Sequence, residues 1–413
     1  MALARDVARM DGWRDHGLFY YAPRLFLQGR DAYDWDALKA EWRRDGKPLG
    51  IDPGTTMSGF VTPPSMALLT LLPALAPPSS GYRAIDLWNL VGLGACLIIL
   101  VGIGGRGWPV EARILFAAFV LSLPDVAGVV LLGQSTLLIC ACLCAAVVLF
   151  SRSPDSVPGS AAIGLALAKF TLSLPFLALL AYRRKGRALA VALIVFLGIN
   201  VAVSAPRGVL RTFKTFRAVV SRENRSGTSY DAISSNPTYM PDTLIHGKRL
   251  LYLIFGNRRS LVEGLNVGLS LIAVAVMAVV LRPRRGSRAV IHEPLEIALL
   301  TVSGLLLFYH RTYDLAALIL VGYALVDEGF RGRDHRTSAW GAMVAIFAVV
   351  TRSATLVYGL GRWLSSGTNL SSMLCWINCL LLTALFVLCA FRLNQLRSRN
   401  GSEDNAESAP ATH

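Results

Sequence analysis

The sequence predicts an all-α, polytopic helical membrane protein. Hydrophobic residues make up 54% of its 413 residues and charged residues only 16%, whereas soluble globular domains carry about a quarter charged residues. Several apolar stretches reach the roughly 20 residues that a helix needs to cross a bilayer. The composition therefore excludes a soluble enzyme, a disordered chain and a disulfide-stapled module.

About eleven apolar segments are typical of membrane crossings and define a transmembrane domain over residues 84–393. An outer loop over 205–260 separates the sixth segment from the seventh, and the polar tail 394–413 is expected to be disordered and cytoplasmic. The segments run approximately over 84–104, 111–126, 129–151, 158–170, 171–182, 187–204, 261–281, 289–309, 312–328, 338–359 and 370–392.

The orientation follows from the positions of Lys and Arg. Basic clusters follow the crossings that end near 182, 281, 328 and 392, and all four fall on one side when every crossing is counted. Short cytoplasmic loops are enriched in Lys and Arg, so this side is predicted to be the cytoplasm. The net charge of +15 is spread between apolar segments, without an isolated basic domain, so nucleic acid is not an expected partner.

Residues 1–83 are interpreted as an outer N-terminal loop with interfacial helices. Segment 63–76 has an apolar run of only about a dozen residues bounded by prolines, and segment 19–27 is short and aromatic. Both favour helices that lie at the membrane interface. Residues 1–18 hold no signal peptide or first crossing, so we expect a first transmembrane helix to be missing, for instance through a misplaced start codon.

The seven cysteines lie within or beside apolar segments and are interpreted as small packing residues. An odd number without metal-type spacing argues against a disulfide framework or a zinc site. The cysteines are Cys96, Cys140, Cys142, Cys144, Cys375, Cys379 and Cys389.

Ionisable residues near the bilayer are functional candidates because they are costly there. Asp15 precedes the aromatic segment that contains Tyr20 and Arg24. A carboxylate where the outer loop meets the membrane could deprotonate a hydroxyl of a membrane-bound substrate. The alternative is that Asp15 is an ordinary loop or cap residue.

A second candidate group occupies residues 309–314, at a predicted outer turn. His310, Arg311, Tyr313 and Asp314 follow one another there within five residues. They could bind a phosphate and a sugar, because the forked donors of Arg match phosphate oxygens. Interfacial anchoring, for which Tyr and Arg are common, accounts for the same residues equally well.

Three further polar residues are candidates. Lys169 lies between two crossings and could pair with a lipid phosphate or simply extend to the headgroups. Gln134 lies at another outer turn, after Gly133. Asn236 could hydrogen-bond a sugar hydroxyl, although Asn-Pro is also an ordinary turn. The stretch from Arg211, earlier in the same loop, is basic, amphipathic and suited to lipid headgroups.

Several of these stretches together match the motif order of a known family. The matching stretches are Asp15-His-Gly-Leu-Phe-Tyr20, Arg24, Gly29-Arg30-Asp31-Ala-Tyr33-Asp34, Pro63-Pro64 with Pro73, Gly133-Gln134-Ser-Thr-Leu, Ala168-Lys169 with Pro175 and Arg183-Arg184, and His310 through Asp314. In this order they resemble glycosyltransferase family 87 of the GT-C superfamily, which includes polyprenyl-phosphate-mannose-dependent mannosyltransferases. Phe170 and Ala32 stand where the family pattern has proline, and Asn236-Pro-Thr is a poor counterpart of its N-Q-S.

The resemblance covers about residues 15–325 and implies a GT-C-type transmembrane domain with outer interfacial helices. It implies an inverting glycosyltransferase that transfers a hexose, expected to be mannose, from a polyprenyl-phosphate-linked donor. The acceptor is expected to be a hydroxyl of a lipid or glycan, and the site is expected to face outward from the cell membrane. The family's catalytic acidic residue falls on Asp15, and His310 falls near the donor phosphate or the acceptor. Tyr20, Arg24, Gln134, Lys169, Asn236, Arg311, Tyr313 and Asp314 are the predicted substrate-binding residues.

No metal ligands are predicted, and the use of a divalent metal ion as cofactor is left open. The alternative function is a multi-pass lipid or solute transporter, or flippase. A transporter predicts an inverted repeat and ionisable residues at mid-membrane. The sequence has no such repeat, and its ionisable residues cluster at the predicted outer edge.

Overall fold

The computed structural model describes residues 13–45, 60–223, 225, 244–256, 258–283, 289–331, 338–353 and 370–407. Regular structure in these ranges is helical apart from one pair of two-residue strands. The predicted all-α, multi-helix membrane class is confirmed. Asn236 lies outside the described residues.

Four short helices precede the first long apolar helix. Helix α1 is packed against the protein on several sides, since Tyr20 and Tyr21 are both buried. Tyr20 Oη and Arg24 Nε donate to the carbonyl oxygens of Ala76 and Ala74, at 2.6 and 2.8 Å, which fixes α1 against the following helices. The four are α1 (Trp13–Leu27), α2 (Trp35–Asp45), α3 (Ser65–Leu69) and α4 (Leu71–Ala74).

The remaining elements follow the apolar segments of the sequence. They are α5 (Pro78–Leu97, continued by non-α turns to Gly107), α6 (Val110–Leu121), α7 (Pro124–Leu132), α8 (Thr136–Arg152), α9 (Val157–Ala166), α10 (Phe170–Tyr182), α11 (Gly186–Ser204), α12 (Val209–Glu223), β1 (Leu244–Ile245), α13 (Gly247–Phe255), α14 (Arg259–Val280), α15 (Pro294–Leu307), β2 (His310–Arg311), α16 (Leu318–Arg331), α17 (Ser338–Val350) and α18 (Leu370–Glu407).

By length and composition, five continuous helical stretches among the described residues could cross a membrane, one of which, Val157–Tyr182, comprises α9, α10 and the turn between them. The pair α6 and α7, bent by 48°, makes a sixth if it crosses as one span. Pro124 causes this bend, since it lacks an amide proton and forces Leu123 into an extended conformation. The chain turns back at Gly133, later than the turn near 127 that the apolar pattern predicts. Three shorter apolar helices lie within α8, α15 and α17.

The central helices have two opposite ends, which we call upper and lower. At the upper end, Lys169 lies beside Thr136 and Asp314. At the lower end, Arg183 pairs with Glu296. Helices α10 and α15 therefore run antiparallel, and α9 and α10 form a hairpin whose apex is the turn Leu167–Lys169. The two helices of this hairpin coincide with the apolar segments 158–170 and 171–182.

The lower end is held by a buried ion pair. The terminal nitrogens of the Arg183 guanidinium, Nη2 and Nη1, donate to the Glu296 carboxylate at 2.7 and 2.9 Å. Both side chains are almost fully buried. Arg183 also donates to the carbonyls of Leu281 and Val290. The pair thereby joins α10, the end of α14 and the start of α15.

Helix α18 continues to Glu407, through most of the segment that the sequence predicts as a disordered tail. Arg397 of this extension lies 3.5 Å from the Glu296 carboxylate. Extending an existing helix requires no new nucleation, so the continuation of α18 avoids the most costly step of helix formation. Residues 408–413 lie outside the described residues.

We predict that Glu296→Gln strongly destabilises the fold. Breaking a buried pair leaves Arg183 charged and poorly compensated, which costs about 3–5 kcal/mol. Thermal unfolding of the purified protein in detergent measures the loss. The control is Glu263→Gln, which removes an exposed pair with Lys248 and Arg259 and is expected to cost about 0–1 kcal/mol. Equal unfolding temperatures for the two variants would contradict the prediction.

Candidate active site

The upper end contains a buried ionic cluster centred on Asp314. One carboxylate oxygen of Asp314 accepts hydrogen bonds from Thr136 Oγ1, at 2.9 Å, and from Lys169 Nζ. Its other oxygen lies 3.0 Å from His310 Nδ1. Lys169 Nζ also donates to Thr136 Oγ1 at 2.8 Å. Asp314 therefore joins α8, the apex of the α9–α10 hairpin and the turn before α16.

His310 is fixed from both its backbone and its ring. Its backbone lies in β2, which pairs antiparallel with β1 through the partners Ile245 and His310. A carboxylate only accepts hydrogen bonds, so the ring nitrogen that faces Asp314 carries the proton. The other ring nitrogen, Nε2, is buried and has no hydrogen-bond partner. A buried polar atom without a partner is costly, and this one is available to a polar ligand.

The Asp314 carboxylate is held in its charged form. Burial alone raises the pKa of Asp314, but the adjacent Lys169 charge and the hydrogen bond from His310 outweigh burial. The result is a pKa well below the usual range for aspartate. Asp314 is consequently ionised throughout the physiological pH range and can orient His310 permanently.

Asp15 lies in the first turn of α1 and reaches the same region. Its carboxylate accepts a hydrogen bond from the Gln134 side chain and interacts with the charges of Arg311, His16 and Lys169. Burial raises the pKa of Asp15, and these partners only partly oppose the rise. Unlike Asp314, Asp15 is partly exposed. The structure thus places Asp15 within electrostatic reach of the cluster that holds His310.

The neighbouring His16 fixes the position of this turn of α1. Its Nε2 lies 2.8 Å from Asp86 of α5. Gly133 ends α7 with a φ of +65°, a left-handed conformation that favours glycine. A Cβ on Gly133 would lie only 2.3 Å from the His16 ring. Glycine at 133 is therefore needed both to turn the chain toward Gln134 and to admit His16.

The rest of the 309–314 segment lines the accessible side of the cluster. Arg311 is partly exposed, and its side chain hydrogen-bonds Tyr309. Burial raises the pKa of Tyr309, so this phenol stays neutral. Lys169 Nζ lies 5.2 Å from the centre of the Tyr313 ring, within the range of a cation–π contact. Arg311 and Lys169 thus place two cations beside Asp15.

Two predicted binding residues lie elsewhere. The Arg24 guanidinium contacts Ala74, Ala76 and Asp45 and stacks 4.5 Å over the Tyr20 ring. Tyr20 is buried and bonded to Ala76. Both side chains hold α1 against the end of α4, because they donate to the carbonyl oxygens of Ala74 and Ala76.

The structure adds site residues that the sequence reasoning missed. Thr136 follows the Gly133-Gln134 motif and could have been found from that proximity. His246 had no sequence signal. Its Nδ1 accepts a hydrogen bond from the Lys248 amide at 3.0 Å. Burial, with the charges of Lys248 and His310, lowers the pKa of His246 to about 4, so its side chain is neutral at physiological pH. His246 directly follows β1, the strand that pairs with β2.

A metal site is not found in the described part of the chain. No three His, Cys, Asp or Glu side chains there are grouped so that they could hold a metal ion.

Fold and site together define a polytopic membrane protein with a cluster of polar, ionisable side chains at one end of its helices. The family model of glycosyltransferase family 87 matches residues 60–309, more than half of the chain. The protein therefore belongs to glycosyltransferase family 87, as the motif order indicates, and is a transferase. Comparison with curated proteins and with solved structures finds no match. The matched segment contains Gln134 and Lys169.

We predict that Gly133→Ala destabilises the protein by about 2–5 kcal/mol. The cost combines a left-handed non-glycine residue with overpacking against His16. The control is Gly128→Ala in the same helix, where an added Cβ meets nothing within 4 Å. This control is expected to be neutral or slightly stabilising, since alanine favours helix over glycine. Thermal unfolding in detergent compares the two, and equal stability would refute the proposed role of Gly133.

Proposed function

We propose that this glycosyltransferase transfers a hexose, mannose, from a polyprenyl-phosphate donor to a hydroxyl of a lipid or glycan acceptor. One observation carries the proposal. Burial raises the pKa of the Asp15 carboxylate, which interacts with the cations Arg311 and Lys169. Lys169 in turn pairs with Asp314, the partner of His310. The proposed base for the acceptor hydroxyl therefore lies close to the cations that would stabilise the departing phosphate.

Asp15 is the proposed general base. It removes the proton from the acceptor hydroxyl as the oxygen attacks the anomeric carbon, a contribution that is typically worth 10²–10⁴-fold in rate. A raised pKa brings the carboxylate closer to the working pH and makes it a stronger proton acceptor. The hydrogen bond from Gln134 orients the carboxylate.

Arg311, Lys169 and His310 are proposed to bind the leaving phosphate. Arg311 is partly exposed and can present paired donors to phosphate oxygens. Lys169 shares its charge with Asp314, and Arg311 interacts with Asp15 and Tyr309. His310 Nε2, which is buried without a hydrogen-bond partner, is proposed to lie against the donor phosphate. Charge stabilisation of this kind is usually the largest catalytic term.

Asp314 is better assigned a positioning role than substrate contact. Its two oxygens already bind Thr136, Lys169 and His310. Asp15 is then the carboxylate proposed to contact the acceptor, whereas the nearby Asp86 is bonded to His16. Direct attack by the acceptor, with inversion at the anomeric carbon, is the reaction that this arrangement supports.

The lengths of the helices around the site suit a lipid-bound donor. Helices α8, α9, α10 and α15 have 17, 10, 13 and 14 residues, or roughly 15–26 Å at 1.5 Å per residue. The hydrocarbon core of a bilayer is about 30 Å thick. We infer that a site at the upper end of these short helices lies at or just below the phosphate level of the bilayer, within reach of a polyprenyl-linked phosphate.

The charge distribution supports an outward-facing site in the cell membrane. Arg183, Arg184 and Lys185 lie in the short turn between α10 and α11 at the lower end, and Arg397 lies there too. Short basic turns favour the cytoplasm. The upper end then faces outward, where soluble nucleotide sugars are absent and a lipid-phosphate donor is required.

We predict that Asp15→Asn lowers transfer by at least about 100-fold while leaving expression and unfolding temperature unchanged. Membranes containing each variant are incubated with labelled polyprenyl-phosphate-mannose, and the labelled product is identified. Asp36→Asn, at an exposed position in α2, is the matched control and should retain full activity. Turnover by Asp15→Asn would exclude Asp15 as base. Labelling only from another lipid-linked sugar would exclude mannose.

We predict that Gln134→Leu moves the acidic limb of the pH profile of kcat/KM upward by about 1–2 pH units. Gln134 lowers the pKa of Asp15 by bonding its charged form, so its removal raises that pKa, and base catalysis is lost at higher pH. A hydrogen bond to a charged group is worth about 1.5–3 kcal/mol, and 1.36 kcal/mol corresponds to one pKa unit. Gln395→Leu, on α18 near the lower end, should leave the profile unchanged. An unshifted limb in Gln134→Leu argues against this coupling.

A further inference from the structure

Helix α12 has a strongly cationic exposed face. Four of its side chains, Arg211, Lys214, Arg217 and Arg222, are exposed. At 100° per residue they fall within an arc of about 140°. On the opposite face Thr212 and Val219 are buried. The helix is therefore amphipathic, with its charge concentrated on the side that faces away from the protein.

The cations of this face have almost no protein partners. Arg222 lies 3.5 Å from Glu223, whereas Arg211, Lys214 and Arg217 form no ion pair with any described residue. Four like charges along one helix repel each other. A cationic face that the protein does not neutralise attracts external anions.

The orientation of α12 is fixed by contacts with the N-terminal region. Arg207, just before the helix, forms an ion pair with Asp31. The Phe216 ring lies 5.4 Å from the Tyr33 ring, centre to centre. These contacts prevent the helix from rotating its cations toward the protein.

Chain connectivity places α12 close to the membrane boundary. Helix α11, long and apolar enough to span the bilayer, ends at Ser204, and residues 205–208 reach at most about 14 Å. Leu210 is 87% exposed and lies between the cations on the same face. Leu27 and Leu68, both exposed, border an apolar groove with Val203 near the end of α11. Apolar surface at this level favours contact with lipid over water.

We propose that α12 lies on the bilayer surface and binds the headgroups of anionic phospholipids, with Leu210 inserted toward the acyl chains. Charge complementarity selects phosphate-bearing anionic lipids over zwitterionic ones. Each Lys or Arg near an anionic membrane surface strengthens binding by roughly fivefold. The site is separate from the Asp15 pocket, and the proposal does not depend on the sugar that the enzyme transfers.

The test is native mass spectrometry of the full-length protein in neutral detergent, titrated with phosphatidylglycerol or phosphatidylcholine. The wild type is expected to bind phosphatidylglycerol preferentially, and less so at high salt. The variant R211Q/K214Q/R217Q should raise the Kd for phosphatidylglycerol by about 100-fold and leave phosphatidylcholine binding unchanged. These exposed changes are expected to leave the unfolding temperature unaffected.

Two controls distinguish a lipid surface from a general charge effect and from a simple anion site. K39Q/R43Q/R83Q removes the same total charge from α2 and α5, and should change the Kd less than twofold. Leu210→Asn should weaken binding of the lipid but not of soluble glycerophosphoglycerol, its headgroup alone, which should compete poorly with the wild type. The proposal is overturned if R211Q/K214Q/R217Q binds phosphatidylglycerol with unchanged Kd, or if K39Q/R43Q/R83Q raises that Kd as much as R211Q/K214Q/R217Q does. Competition by the soluble headgroup at the lipid's own concentration would show a simple anion site in place of a membrane surface.

Discussion

The pairing of Lys169 with Asp314 is the interaction on which the upper end depends. A lysine at the apex of an apolar hairpin is costly unless its charge is compensated. Asp314 supplies that compensation and, through its second oxygen, also fixes the His310 ring. One carboxylate thereby holds together three segments that are far apart in the chain. The cluster forms because a buried charge is costly unless an opposite charge compensates it.

Two carboxylates in the same pocket have opposite environments. Asp314 is surrounded by donors that keep its pKa low, whereas burial raises the pKa of Asp15. Environments that separate two pKa values also separate two chemical roles. These environments support the proposed roles of Asp314 as a positioning residue and of Asp15 as the general base.

Helices α10 and α15 are tied at both ends by ion pairs of different kinds. At the lower end Arg183 and Glu296 satisfy each other almost completely and are nearly inaccessible. At the upper end the cations Lys169 and Arg311 remain partly accessible, and His310 Nε2 lacks a partner. The buried pair at the lower end holds α10 against α15, and the cluster at the upper end carries the polar atoms that the proposed function assigns to substrates.

Composition and short motifs were enough to establish the membrane class, the positions of most apolar helices, the family, and the residues that gather around Asp15 and the 309–314 segment. All of these are local properties of the chain. The packing of the helices was needed to show that Asp314 is the centre of the cluster, that Thr136 and His246 support it, and that Tyr20 and Arg24 hold α1 in place. Lys169 and Asp314 are 145 residues apart, and a pairing over that separation depends on how the helices pack, which no local pattern encodes.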